Sequence, residues 1–83
     1  MVYEIWDFEA SNMVDAFRSK DAALAEVAAQ VAAFGRAAVE TWMLLENDGT
    51  KTLEGLRRIA YGADLADLAL HQAASVSAVR TTV

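Results

Sequence analysis

The sequence predicts a small α+β domain: a four-stranded antiparallel sheet with one helix packed on a face and a C-terminal helix. The first segment assigned to a strand alternates with period two, and residues 39–46 are a nearly continuous apolar run. Apolar residues recur with helical spacing in the two segments assigned to helices. The predicted element order is β-β-α-β-β-α. We prefer the strand order 2-1-3-4, because it makes the sheet all-antiparallel and places the most apolar strand inside it.

The first two strands are predicted to form a hairpin. Along residues 2–8, one side of the strand carries Tyr3, Ile5 and Asp7, and the other carries Val2, Glu4, Trp6 and Phe8. The residues that follow, Glu9-Ala-Ser-Asn12, predict a turn, because Ser and Asn side chains bond nearby backbone and Asn tolerates a positive φ. An extended pattern resumes over residues 13–18.

A helix is predicted over residues 20–34. Ser19 is placed to cap its first turn, and Asp21 adds negative charge where the helix dipole is positive. Apolar residues recur at helical spacing up to Phe34, and Gly35 is the expected C-terminal cap. We expect this helix to lie on one face of the sheet.

The back half is predicted to contain a strand pair and a second helix. Residues 39–46 form a nearly continuous apolar run, which predicts a strand buried on both faces in the centre of the sheet. Asn47-Asp-Gly49 predicts a turn. Residues 56–61 are predicted as the fourth strand, with a helix over residues 52–61 as the alternative. The second helix is predicted to run from Ala63 to about residue 74, so that the domain spans residues 1–74 and a C-terminal tail, residues 75–83, frays.

Length, charge and composition exclude several classes of function. The chain has 83 residues, no cysteine and a net charge of −5. It therefore offers no thiolate zinc site or thiol nucleophile, and its scattered bases disfavour nucleic-acid binding by this surface alone. Its apolar runs fall short of the roughly 20 residues that cross a bilayer. We expect a cytoplasmic protein that is not an enzyme, binds no cofactor and does not associate with a membrane.

Three residues of the second helix are weak candidates for a metal site. Asp64, Asp67 and His71 are spaced i, i+3 and i+7, so they share one stripe of the helix. Carboxylate and imidazole side chains are metal ligands. An exposed polar stripe with an Asp67–His71 pair is the interpretation we favour, and no metal site is predicted.

A chain this short is expected to leave apolar surface for a partner. The residues we expect at an interface are aromatic or basic: Trp6, Trp42, Tyr3, Tyr61 and Arg57. The predicted function is a non-enzymatic interaction module, either a homodimer or a subunit of a larger assembly, whose partner is a protein and most simply a second copy. The alternatives are an antitoxin-like regulator that neutralises a partner protein, and a small ligand or metal binder.

Segments from most of the chain resemble those of small proteins from high-GC bacteria that share the β-β-α-β-β-α layout. The segments are Tyr3-Glu-Ile-Trp-Asp7, Asp21-Ala-Ala-Leu24 and Ile59-Ala-Tyr-Gly-Ala-Asp-Leu-Ala66. This resemblance implies the layout and no activity. The front half is also similar to the partial RNase H-like fold of HicB-type antitoxins, which implies a toxin-neutralising role by analogy. The back half lacks the DNA-binding helices that such antitoxins append.

Overall fold

The computed structural model describes residues 1–50 and 53–81, and it shows the predicted α+β fold. The elements are β1 (Val2–Asp7), β2 (Asn12–Phe17), α1 (Lys20–Phe34), β3 (Trp42–Asn47), β4 (Leu56–Tyr61) and α2 (Gly62–Thr81). Two short 3₁₀ turns, Arg36–Val39 and Leu53–Gly55, precede β3 and β4. The strand order is β2-β1-β3-β4 and every pairing is antiparallel, as predicted.

Both helices cover the same face of the sheet and contact each other. The core between the helices and this face contains Ile5, Ala23, Leu24, Val27, Val31, Val39, Leu44, Leu65, Ala66 and Ala69. Ile5 of β1 and Leu44 of β3 are register partners at its centre, and both side chains are fully buried. Alternation along β1 and β3 therefore sends the neighbouring side chains to the opposite face.

The first turn is organised by Asp7, which the sequence analysis did not single out for this role. Its Oδ1 atom accepts hydrogen bonds from the backbone N–H groups of Glu9 (3.0 Å) and Ala10 (3.2 Å) and from the Thr41 hydroxyl (3.0 Å). The residue of this turn with positive φ is Ser11, at 57°. Asn12 pairs with Asp7 as the first residue of β2.

Replacing Asp7 with alanine is expected to lower the free energy of unfolding by about 1 to 2 kcal/mol, because three donors lose a charged acceptor. Glu9→Ala is the matched control: Glu9 is an exposed acid in the same turn, and its carboxylate makes no hydrogen bond to the described part of the chain. Urea denaturation monitored by tryptophan fluorescence measures both variants. Equal stability of the two would contradict a structural role for Asp7.

The ends of α1 are those predicted. The Ser19 hydroxyl oxygen accepts a hydrogen bond from the N–H of Ala22 at 3.1 Å, which satisfies one donor of the first turn. At the other end, the N–H of Gly35 donates to the carbonyl of Val31 at 2.8 Å. Gly35 has φ 89° and ψ 169°, so it takes a backbone conformation that is essentially restricted to glycine.

The back half differs from the prediction at its boundaries. Val39 is buried but belongs to a 3₁₀ turn, and the central strand begins at Trp42. Residues 56–61 form a strand, so the alternative of a helix over residues 52–61 is wrong for residues 56–61, while residues 53–55 form a 3₁₀ turn. Residues 51 and 52 lie outside the described residues.

Helix α2 continues to Thr81, so the predicted helix end near residue 74 is wrong. The physical reason is that this segment contains no glycine or proline to end the helix. The Ser75 hydroxyl also donates to the carbonyl of His71 at 3.1 Å, a bond compatible with continued helix. The fraying of residues 75–83 stays a prediction. Residues 82 and 83 lie outside the described residues.

Candidate functional site

The sheet face opposite the helices is the candidate site, and the strand register identifies the side chains on it. One row crosses the sheet from β2 to β4 as Met13, Trp6, Met43 and Tyr61. The next row crosses it as Ala16, Glu4, Leu45 and Arg58. We call these the aromatic row and the charged row. Together with Val2, Asn47 and Leu56, which lie beside the charged row, they form the open face.

Within the described part of the chain, no other element covers the large apolar side chains of the open face. Tyr61 is 46% exposed and Met13 is 48% exposed, while Trp6, Met43 and Leu45 are half-buried. Phe8, just beyond the end of β1, is 42% exposed and packs on Tyr61 with a ring-centroid distance of 5.0 Å and an interplanar angle of 42°. The aromatic surface therefore extends from the middle of the sheet to its β4 edge.

Glu4 is a carboxylate held in a fixed position on this apolar face. Its Oε1 atom accepts a hydrogen bond from the Trp6 indole N–H at 2.9 Å, and its Oε2 atom accepts one from the Asn47 side-chain amide at 3.0 Å. A carboxylate can accept about four hydrogen bonds, so both oxygens retain capacity for a further donor. The Trp6 ring is oriented by the same contact.

The two edges of the sheet are poor templates for further strands. At the β2 edge, Asp15 Oδ1 accepts a hydrogen bond from the N–H of Ala16 at 2.8 Å, which occupies that amide, and the pairing with β1 is irregular beside it. At the β4 edge, Arg57 and Arg58 are exposed, and the pairing with β3 shifts register. Irregular pairing and edge charges both disfavour strand addition.

The five interface candidates predicted from the sequence lie on both faces of the sheet. Trp6 and Tyr61 belong to the open face. Tyr3 and Trp42 pack against the core on the covered face. Arg57 is register partner of Glu46 on that covered side, and their side chains form an ion pair at 3.1 Å.

Tyr3 also belongs to the electrostatic cluster at this end of the covered face. Partial burial and the neighbouring Glu46 carboxylate raise the pKa of the Tyr3 hydroxyl above its ordinary value, while Arg57 acts in the opposite direction. The sequence analysis missed Met13, Met43, Leu45 and Arg58 of the open face. Alternation groups residues of one strand, such as Met43 with Leu45, and the strand register is needed to show that all four face the same way as Trp6.

The metal candidates Asp64, Asp67 and His71 all lie on α2. The Asp67 carboxylate forms an ion pair with Arg36, and not with His71 as expected. Arg36 also donates to the carbonyl of Ala63 at 3.5 Å. Within residues 1–50 and 53–81, no three metal-ligating side chains lie close enough to share an ion.

A shallow depression of about 240 Å³ lies where the 3₁₀ turn before β3 meets the start of α2. It is lined by Arg36, Ala37, Glu40 and Ala63. The Arg36 guanidinium is already engaged by Asp67, so the depression offers a ligand little free polar recognition. The open face is the more developed surface.

The fold and the site define a class: an α+β sheet protein with two helices on one face and an apolar opposite face. No family model matches the chain, and neither a curated protein nor a solved structure is significantly similar to it. A search of the described helices for a membrane-crossing segment finds none that is both long and apolar enough.

Proposed function

We propose that this chain is a cytoplasmic, non-enzymatic protein-interaction module that works through its open face, as a homodimer or as a subunit of a larger assembly. The observation that carries the proposal is the contrast between the face and the edges of the sheet. The edge strands have irregular pairing, and β4 carries two exposed arginines, whereas the open face presents Trp6, Tyr61 and their apolar neighbours to solvent. A partner gains most by covering that face.

The size of the open face supports a contact of moderate strength. Four strands of six residues cover roughly 20 by 20 Å, or about 400 Å², from the usual strand spacing and rise. This area lies within the roughly 300–600 Å² of the largest apolar patch on a typical monomer, a patch that is often functional. A standard interface buries about 800 Å² of accessible surface on each partner, so this smaller footprint favours a weak contact over a permanent one.

The distribution of charge also favours contact through this face. The chain carries a net charge of −5, which opposes the approach of two like molecules. The open face itself carries one acid, Glu4, and one base, Arg58, so its formal charge is zero. Repulsion is therefore smallest when this neutral surface is the one that meets a partner.

Leu45→Glu tests the proposal, because it places a charge in the middle of the open face. We expect the wild-type protein to associate at tens of micromolar in sedimentation-velocity experiments, and the variant to remain monomeric. Phe34→Glu is the matched control: Phe34 is 73% exposed at the end of α1, away from the open face. This control should associate like the wild type.

Two outcomes would contradict the proposal. In one, the wild-type protein remains monomeric at hundreds of micromolar, and no partner protein is recovered with it from a native lysate. In the other, the Phe34 variant loses association while the Leu45 variant keeps it, which would place the contact on the helical side of the molecule. Circular dichroism establishes beforehand that both variants are folded.

A further inference from the structure

We infer that the partner on the open face is a second copy of this chain, related by a twofold axis along β3, with Glu4 of each copy paired with Arg58 of the other. This inference rests on the proposed interaction role and specifies its partner and geometry. The observation behind it is that Glu4 and Arg58 are the two charged side chains of an open face whose other side chains are uncharged.

Glu4 and Arg58 occupy the same row of the sheet but do not pair within one chain. Leu45 lies between them, so their strands are about 10 Å apart. Among the described residues, the ion pairs are Arg36–Asp67 and Arg57–Glu46, and neither includes Glu4 or Arg58. Covering either charge with apolar surface would be unfavourable unless the partner supplies the opposite charge.

This requirement selects the symmetry axis. If the axis crossed the strands along the charged row, Glu4 would face Glu4 of the second copy, and like charges would meet. If it crossed the strands midway between the two rows, Glu4 would face Trp6 of the second copy and would lack a cation. An axis parallel to the strands and lying over β3 places β1 of each copy opposite β4 of the other. Glu4 of each copy then lies opposite Arg58 of the other, which gives two ion pairs.

The same axis also gives suitable contacts for the aromatic row. Trp6 of one copy lies over Tyr61 of the other, and Met43, which lies at the axis, contacts Met43 of the second copy. Aromatic stacking and methionine contacts are favourable in such a layer. Packed sheets align within about 30°, with about 10 Å between them, a gap that an arginine and a glutamate side chain can bridge together.

Glu4 is prepared for this contact by its own chain. The bonds from Trp6 and Asn47 fix the carboxylate on the open face, so little side-chain entropy remains to be lost when the second copy binds. Arg58 is exposed and supplies a planar guanidinium that can bind a carboxylate through two parallel hydrogen bonds.

The decisive experiment exchanges the two charges between separate variants. Glu4→Arg puts two bases on the open face and Arg58→Glu puts two acids there, so each variant alone should dimerise roughly 100-fold more weakly than the wild type. In an equimolar mixture, each base of the first variant meets an acid of the second. We expect a heterodimer whose Kd is within about tenfold of the wild-type value, measured by analytical ultracentrifugation and by native mass spectrometry.

Arg57→Glu is the matched control, because Arg57 neighbours Arg58 in sequence but lies on the covered side beside Glu46. Its dimerisation should equal that of the wild type. Glu4→Gln keeps the acceptor for Trp6 but removes the charge, so it separates the ion pair from local structure. It should weaken dimerisation less than Glu4→Arg does.

Three results would overturn the inference while leaving the interaction role intact. One is unchanged dimerisation of both charge variants when Leu45→Glu is monomeric. Another is a mixture that fails to recover association although each variant is folded. The third is a loss of dimerisation in the Arg57 control equal to that of Arg58→Glu. A wild-type chain that never self-associates would instead remove the homodimer and this inference, and the proposed function would then stand only as a subunit of a larger assembly.

Discussion

Replacing Leu44 with alanine is expected to lower the free energy of unfolding by about 3 to 5 kcal/mol, because the side chain is fully buried at the centre of the core. A chain of 83 residues is stabilised by only about 4 to 12 kcal/mol in total. The variant should therefore be largely unfolded at 37 °C, or melt roughly 15 °C or more below the wild type. Thermal denaturation followed by circular dichroism measures this.

Leu45→Ala is the matched control for Leu44, since it removes the same atoms from the next residue of the same strand, on the opposite face. Measured below the association concentration, its loss of stability should be about 1 kcal/mol, because Leu45 is only half-buried within one chain. Above that concentration it should instead weaken dimerisation. Equal losses of stability at low concentration would contradict the assignment of a covered face and an open face.

Gly35→Ala is expected to lower the free energy of unfolding by about 2 to 3 kcal/mol. The loss comes from the backbone and not from crowding: Gly35 has φ 89° and ψ 169°, and a Cβ atom added there would meet nothing within 4 Å. Residues with a side chain avoid that conformation. The helix end would have to change, which would break the hydrogen bond from Gly35 to Val31. Chemical denaturation measures the loss.

Ser11→Gly provides the opposite test. Ser11 has φ 57°, a left-handed conformation that glycine adopts without strain. Relief of that strain offsets the greater flexibility of glycine in the unfolded chain, so the melting temperature should stay the same or rise. A wild-type melting temperature for Gly35→Ala, or a marked loss for Ser11→Gly, would contradict the backbone argument.

Local patterns in the sequence predict much of the fold because each depends on neighbouring residues. The alternation along residues 2–8 separates Tyr3 and Ile5 from Trp6, and Ser19 and Gly35 mark the ends of α1. The strand order follows from the apolar character of β3. The end of α2 was missed because the segment after residue 74 lacks an apolar period, although nothing in it stops a helix.

The candidate site could be predicted only in part, because alternation gives two faces without telling which one the helices cover. Trp6 and Trp42 carry the same side chain, but Trp42 pairs with Asp7 on the covered face, whereas Trp6 pairs with Met43 on the open face. That distinction depends on long-range register. The position of Arg58 opposite Leu45 likewise follows a register shift between β3 and β4, which no local pattern encodes.

The irregular, charged edges of the sheet bear on how far the proposed dimer could grow. A regular exposed edge strand is a template for adding strands from further chains, whereas here Asp15 bonds an amide of one edge strand and two arginines charge the other. A twofold contact uses the same surface on both molecules and leaves no second copy of it free. On this arrangement, self-association closes at two chains and gives a particle of finite size instead of a fibre.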